Sequence, residues 1–336
     1  MKGHRILFVL TSLILILEIG CVKGEDFPVL KGPYLGQKPP GIKPEMFAPG
    51  FISTGLSEAV CCFSPEGKEV YWNIAYSIKK DAKAFIVYSK IENGEWTRPE
   101  FVSFTNMEYI YAYPFLSYDG KELYFISNEP TGSPDLKDEY NIWIARRKGD
   151  KWGVPVPLPY PVNGRGITSG PSVTTSGVLY YTLITEKEQA IYRSRYIDGT
   201  YSEPERLPDA VNSTDNQFDG VIAPDESYML LPVSNRSDSY GSIDLYVTFR
   251  DPHDNWTPVV NLGSTINTKR VESAARISPD GRYIFLSGLY ITHNWENESL
   301  NYSDILNYHT KPGYGKADIY WISSKIIEPF RPVDLK

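Results

Sequence analysis

Three carboxylates of this chain, Glu58, Asp219 and Glu272, stand where acid–base chemistry could be done. Glu58 and Glu272 share one register of a recurring phrase, six residues before a turn serine. The same register holds Tyr111, Thr168 and Gln217 in the other copies, and Asp219 follows Gln217 by two residues. Carboxylates converging on one pocket can bind a cation, or divide the roles of proton donor and base. A glycosidase pair needs its carboxyl groups roughly 5–10 Å apart, a spacing that neighbouring units of a closed ring can supply. Tyr111 and Gln217 would add a ring face and an amide to such a pocket. The same positions can instead bond the turn amides where their strands begin. Other chemistry is absent: the chain has no Gly-x-Ser-x-Gly, His-x-x-x-His or Cys-x-x-Cys pattern. The expectation is no metal and no cofactor.

These residues are positioned by an internal repeat. Ser64-Pro65-Glu66-Gly67-Lys68-Glu69-Val70-Tyr71-Trp72 returns as Ser117-Tyr118-Asp119-Gly120-Lys121-Glu122-Leu123-Tyr124-Phe125 and as Ser278-Pro279-Asp280-Gly281-Arg282-Tyr283-Ile284-Phe285. Degenerate copies begin at Thr174 and Ala223. The Pro-Asp-Gly core is hairpin chemistry: Pro presets φ, Asp bonds its own backbone and Gly takes a positive φ. A β-branched and aromatic strand follows each turn. Third strands read as Ala84–Tyr88, Asn141–Ala145, Ala190–Ser194, Asp244–Thr248 and Asp318–Ile322. Fourth strands open on an aromatic and a proline: Trp96 and Pro99, Trp152 and Pro155, Tyr201 and Pro204, Trp256 and Pro258. Proline is tolerated at a sheet edge, so the fourth strand lies outermost.

Four antiparallel strands repeated at a fixed period predict an all-β propeller. Five first strands give five blades, with a six-bladed ring as the alternative. Pro44 to Thr54 resembles a fourth strand yet precedes the first blade, so it is expected to close the ring on the last blade. Pro329-Phe330-Arg331-Pro332 competes for the same place. The phrase, with Asp-Ile-Tyr and Trp-x-x-Pro downstream, resembles the WD40-like (PD40) repeat of TolB-type propellers over residues 44 to 332. That resemblance implies the fold. It carries over no catalytic residue, since the family spans periplasmic scaffolds, surface lipoproteins and propeller parts of peptidases.

Residues 1–20 read as a secretory leader, with Lys2 and Arg5 before an apolar run from Ile6 to Leu17. Gly20-Cys21 then resembles a lipoprotein processing site, with Cys21 as the lipidated residue. Residues 21–43 read as a Pro- and Gly-rich tether, and residues 44–336 as a single propeller. Loss of Lys2, Arg5 and Glu18 with the leader removes a net +1 and takes the charge from −7 to −8. An acidic chain excludes nucleic acid as the main partner. The adjacent Cys61 and Cys62 point to opposite faces of a strand and read as buried thiols.

Turns alternate between the two rims. Tight turns share one rim, while the long second-to-third and blade-to-blade loops share the other, which is the expected binding face. Its largest feature is the insertion from Tyr290 to Lys316, carrying Trp295, Tyr302, Tyr308 and Tyr314. Loops of this length are usually functional or disordered. The expected function is a non-catalytic, lipid-anchored envelope propeller that binds a protein or glycan through this rim. The alternative is a carbohydrate-active enzyme using Glu58, Asp219 and Glu272.

Overall fold

The computed structural model describes residues 28–78, 81–134, 136, 139–214, 218–289, 302–314 and 316–335. It is an all-β propeller of five blades. Their inner strands are Ser57–Phe63, Tyr111–Leu116, Ile167–Val173, Val221–Ile222 and Glu272–Ile277. Each pairs antiparallel with the strand that follows its tight turn. The turn hydroxyl explains why the phrase recurs. Ser64, Ser117 and Ser278 accept the amide that opens the second strand, from Glu69, Glu122 and Tyr283 at 2.9–3.0 Å. Thr174 does the same for Val178 at 3.0 Å.

The inner strands are bent by a repeated irregularity. Pairing slips between Ala59 and Cys62, Ala112 and Phe115, Ser169 and Ser172, and Ser273 and Arg276. Val60, Tyr113, Gly170 and Ala274 take φ values of 49–56° at these bulges. A bulge sharpens the local twist and re-aims the chain. Here it turns the amides of Val60 and Tyr113 onto the preceding blade, at Ser287 Oγ (3.2 Å) and Asn73 Oδ1 (3.3 Å).

The ring closes as the N-terminal segment predicts. Glu45–Met46 forms the outer strand of blade five, with Glu45 opposite Trp321 and Met46 opposite Tyr320. The Phe47 amide continues the ladder to Ile319 O at 2.8 Å. Ser53 Oγ both donates to and accepts from the Ile319 backbone at 3.1 Å. The competing segment loses because the chain turns into a 3-10 helix, Ser324–Phe330, straight after the third strand. Its Ile327 is buried, and the Arg331 guanidinium sits 4.9 Å from the Phe249 ring of blade four.

The tether reading needs correction from residue 28 onward. Tyr34 and Leu35 are buried in the seam between blades five and one. The Tyr34 ring lies 5.0 Å from Phe63 and 5.1 Å from Tyr283, and its hydroxyl donates to Asp280 at 3.1 Å. Trp96 Nε1 donates to Gly32 O at 2.8 Å, and Gln37 bridges to Met46 and Ala48. The segment carries no strand pattern because it packs by a few side chains, chiefly Tyr34, Leu35 and Gln37, and by backbone contacts. Cys21 lies outside the described residues. Cys61 and Cys62 are free, buried thiols.

Candidate functional site

The shared register on the long-loop rim proves to be a seam between blades. The amides of Glu58, Thr168 and Glu272 donate to Ala317, Tyr140 and Ile243 of the preceding blade at 2.8–3.1 Å. Their side chains then hold the loop that enters the strand. Glu272 accepts from the Thr268 amide (3.0 Å) and hydroxyl (2.7 Å). Glu58 accepts from the Thr54 hydroxyl at the same offset. Thr168 Oγ1 donates to Asn163 at 2.7 Å. Tyr111 is a core ring against Phe125 whose hydroxyl reaches Glu129 at 2.7 Å. Gln217 lies outside the described residues.

Glu58 is fully buried (0% exposed), and its Oε2 has no hydrogen-bond partner. Burial pushes its pKa up to about 7, and the nearby Asp318 charge adds to that. Asp318, itself pushed up to about 6 by burial, has an unpartnered Oδ1 while Oδ2 accepts from Gly313 at 2.8 Å. A hollow of about 280 Å³ adjoins Glu58, walled largely by Phe51, Trp72 and Phe101.

Asp219 occupies a different place. It stands four residues before Ala223, the offset of the bulge residues in the other blades. Gly170 leaves room for it: a Cβ there would lie 2.2 Å from Asp219 Cβ. Burial raises the Asp219 pKa, opposed by the Ser169 hydroxyl and the Arg276 charge. The Tyr113 phenol is held above its ordinary value by facing this carboxylate. Arg276 is itself buried. It donates to the carbonyls of Pro114 (3.2 Å) and Ala275 (2.8 Å), and its Nη2 is unpartnered. Four blades thus meet at a polar cluster of Tyr113, Ser169, Asp219 and Arg276. The neighbours of Glu58 (Thr54, Lys316, Asp318) and of Glu272 (Thr268, Asp244) do not overlap with it.

The insertion contributes a helix, Tyr302–Thr310, none of whose residues is buried. Gly55 allows its C-terminal end to sit on the seam, since a Cβ there would lie 2.6 Å from His309 O. Tyr302 (79% exposed), Ile305, Leu306 (48%) and Tyr308 face outward. Tyr314 is half-buried on the return to blade five, and Trp295 lies outside the described residues. Among the described residues no helix is long and apolar enough to cross a membrane, and no group of three or more His, Cys, Asp or Glu is placed to hold a metal.

The sequence reading missed a hollow of about 200 Å³ on the opposite rim, between the tight turns of blades two and three. Tyr118, Tyr124, Arg146, Tyr196 and Tyr201 line it. The available signal was Tyr118, standing where three other copies of the phrase have Pro65, Pro224 and Pro279.

No family model and no curated protein matches the chain. Solved structures do. The catalytic domain of the GH62 α-L-arabinofuranosidase from Coprinopsis cinerea is 11% identical, with a TM-score of 0.51 over 85% of this chain and 98% of that one. The structure of BT0996 in an RGII complex is 13% identical, with a TM-score of 0.51 over 90% and 93%. TolB from Acinetobacter baumannii is 15% identical with a TM-score of 0.46 over 80% of this chain, which spans 57% of the TolB chain. At these identities the likeness is one of fold alone, and the fold is the five-bladed β-propeller.

Proposed function

We propose that this chain is a non-catalytic, lipid-anchored propeller of the cell envelope that binds a partner through its long-loop rim. The observation carrying this reading is the helix Tyr302–Thr310, which holds Tyr302, Ile305 and Leu306 out to solvent on a rigid ring. Apolar side chains at i, i+3 and i+4 make a stripe suited to a protein groove, which favours a protein over a glycan at this rim. The rival reading, a carbohydrate-active enzyme, draws on Glu58, whose pKa of about 7 suits a proton donor. Against it, Glu58, Asp219 and Glu272 have three separate sets of neighbours, whereas a glycosidase pair must flank one bond.

The test compares two variants with the wild type. Replacing residues 290–316 by a short Gly-Ser linker, or Leu306→Asp alone, is expected to weaken capture of envelope proteins. Buried anchors cost about 2 kcal/mol or more each when removed, roughly a thirtyfold loss of affinity. Glu58→Gln with Glu272→Gln is expected to leave that affinity intact. Turnover of an envelope or plant polysaccharide by the wild type, abolished in the carboxylate variant, would overturn the proposal.

A further inference from the structure

Five copies of one turn make a built-in control, because departures from the repeat that meet at one place mark a candidate site. Residue two of the turn is Pro65, Pro224 and Pro279 in blades one, four and five, but Tyr118 and Thr175 in blades two and three. The aromatic that opens the fourth strand is Trp96, Trp152 and Trp256 in three blades, but Tyr201 in blade three. All three departures line the same hollow on the tight-turn rim, where Thr175 also ties its turn to blade four, its amide and hydroxyl donating to Pro224 O at 3.0 and 2.9 Å. The hairpin joining the third and fourth strands pairs Tyr196 with Tyr201, as Ile91 pairs with Trp96 and Trp152 with Arg147 in blades one and two, and in blade three it brings Tyr196 to the hollow.

The local chemistry is specific. The Tyr196 and Tyr201 rings lie 5.0 Å apart and inclined by 59°, and Tyr196 is 49% exposed. The Tyr201 hydroxyl meets that of Tyr124 at 3.2 Å, and Tyr124 donates to Glu122 Oε2 at 2.7 Å. Arg146 donates its Nε to Glu122 Oε1 at 3.0 Å, a bond that does not use its two Nη atoms. Ring faces beside a guanidinium–carboxylate pair offer what a sugar ring presents: a flat C–H face, and vicinal hydroxyls that both accept and donate. At about 200 Å³ the hollow is smaller than the roughly 300–1,000 Å³ of pockets for drug-sized ligands. One ring fills it, and the rest of a chain would lie in solvent. Opposite charges are balanced around it, with Arg146 on Glu122 and Lys121 on Asp119, so a neutral ligand fits best.

We propose that the hollow between the tight turns of blades two and three is a binding site for a neutral pyranose, with Tyr196 and Tyr118 as ring contacts and Arg146 and Glu122 as hydroxyl partners. The site is on the opposite rim from the helix Tyr302–Thr310 and independent of protein docking there.

The repeat supplies the test. Tyr118→Pro and Tyr201→Trp restore residues that other blades carry at the same positions, so the fold is expected to tolerate both. Tyr196→Ala changes a half-exposed side chain. Saturation-transfer NMR and titration would use methyl pyranosides of glucose, galactose and mannose and their short β-1,4 oligomers. Expected are saturable binding by the wild type, at least a tenfold loss in Tyr196→Ala and Tyr201→Trp with unchanged melting, and no change in Leu306→Asp. If Tyr118→Pro unfolds, Tyr196→Ala decides. No saturable binding by any of these sugars, or full affinity in Tyr196→Ala, would overturn the proposal.

Discussion

Replacing Glu58 by Gln should stabilise this protein at neutral pH and leave it unchanged in acid. Glu58 is protonated below about 7 in the folded chain and, at its ordinary value, only below 4.5 when unfolded. Between those values the folded form holds the extra proton. Stability from this group is therefore complete below about 4.5 and lost as pH rises through 7. The displacement is worth about 3 kcal/mol at pH 8, the full cost of ionising a carboxyl whose Oε2 has no partner. Gln keeps the shape and an acceptor for Thr54 and carries no charge. Urea unfolding of wild type and Glu58→Gln, followed by tryptophan fluorescence from pH 4 to 8, should coincide at pH 4.5 and diverge by up to about 3 kcal/mol at pH 8, or roughly 5 °C in melting temperature. Asp219 and Glu272 are also raised by burial, so the difference between the two curves is the informative quantity. Equal stability of both chains at every pH would refute the burial argument.

Three further outcomes are expected. Gly170→Ala should cost at least about 2 kcal/mol, and Asp219→Gly should restore much of that loss in a double-variant denaturation cycle. Val60, Tyr113 and Ala274 carry side chains at the same φ, so the Asp219 contact, and not the backbone angle, is what demands glycine. Arg193→Ala should cost about 1–2 kcal/mol, because the buried Arg193 bridges Glu205 (2.7 Å) and Asp254 (2.5 Å), while those partly exposed carboxylates keep Arg195 and Arg250. Its pairing with Asp254 holds that carboxyl well below its ordinary value, so Arg193→Ala should also flatten the loss of stability in acid. Cys21→Ser should abolish lipid labelling and release the chain from membranes, and unchanged fractionation would remove the anchor from the proposal.

The repeat made the architecture legible because each blade needs the same turn, and a turn is specified by neighbours in sequence. Ser64, Ser117 and Ser278 do locally what their spacing suggests. Closure was legible for the same reason, since Pro44 to Thr54 carries a fourth-strand pattern out of its place. The fate of Pro329-Phe330 was not, because the same Pro-aromatic pattern suits a 3-10 turn, and the choice depended on the outer place in blade five already being taken. Nor was the packing of Tyr34 and Leu35, two side chains whose pocket is assembled from blades five and one.

The candidate site divides along the same line. Sequence register placed Glu58, Thr168 and Glu272 correctly at the start of their strands, since register is counted along the chain. Whether such a side chain points to the axis or into the seam depends on the blade beside it, which no local pattern records. Only the closed ring put Glu58 beside Asp318 and gathered Asp219, Tyr113 and Arg276 from three blades. It likewise brought Tyr118, Thr175 and Tyr201 to one hollow. The chain determined the repeated unit through short-range turn and strand chemistry. The ring decided which departures from that unit meet, because contacts between blades join residues far apart in sequence.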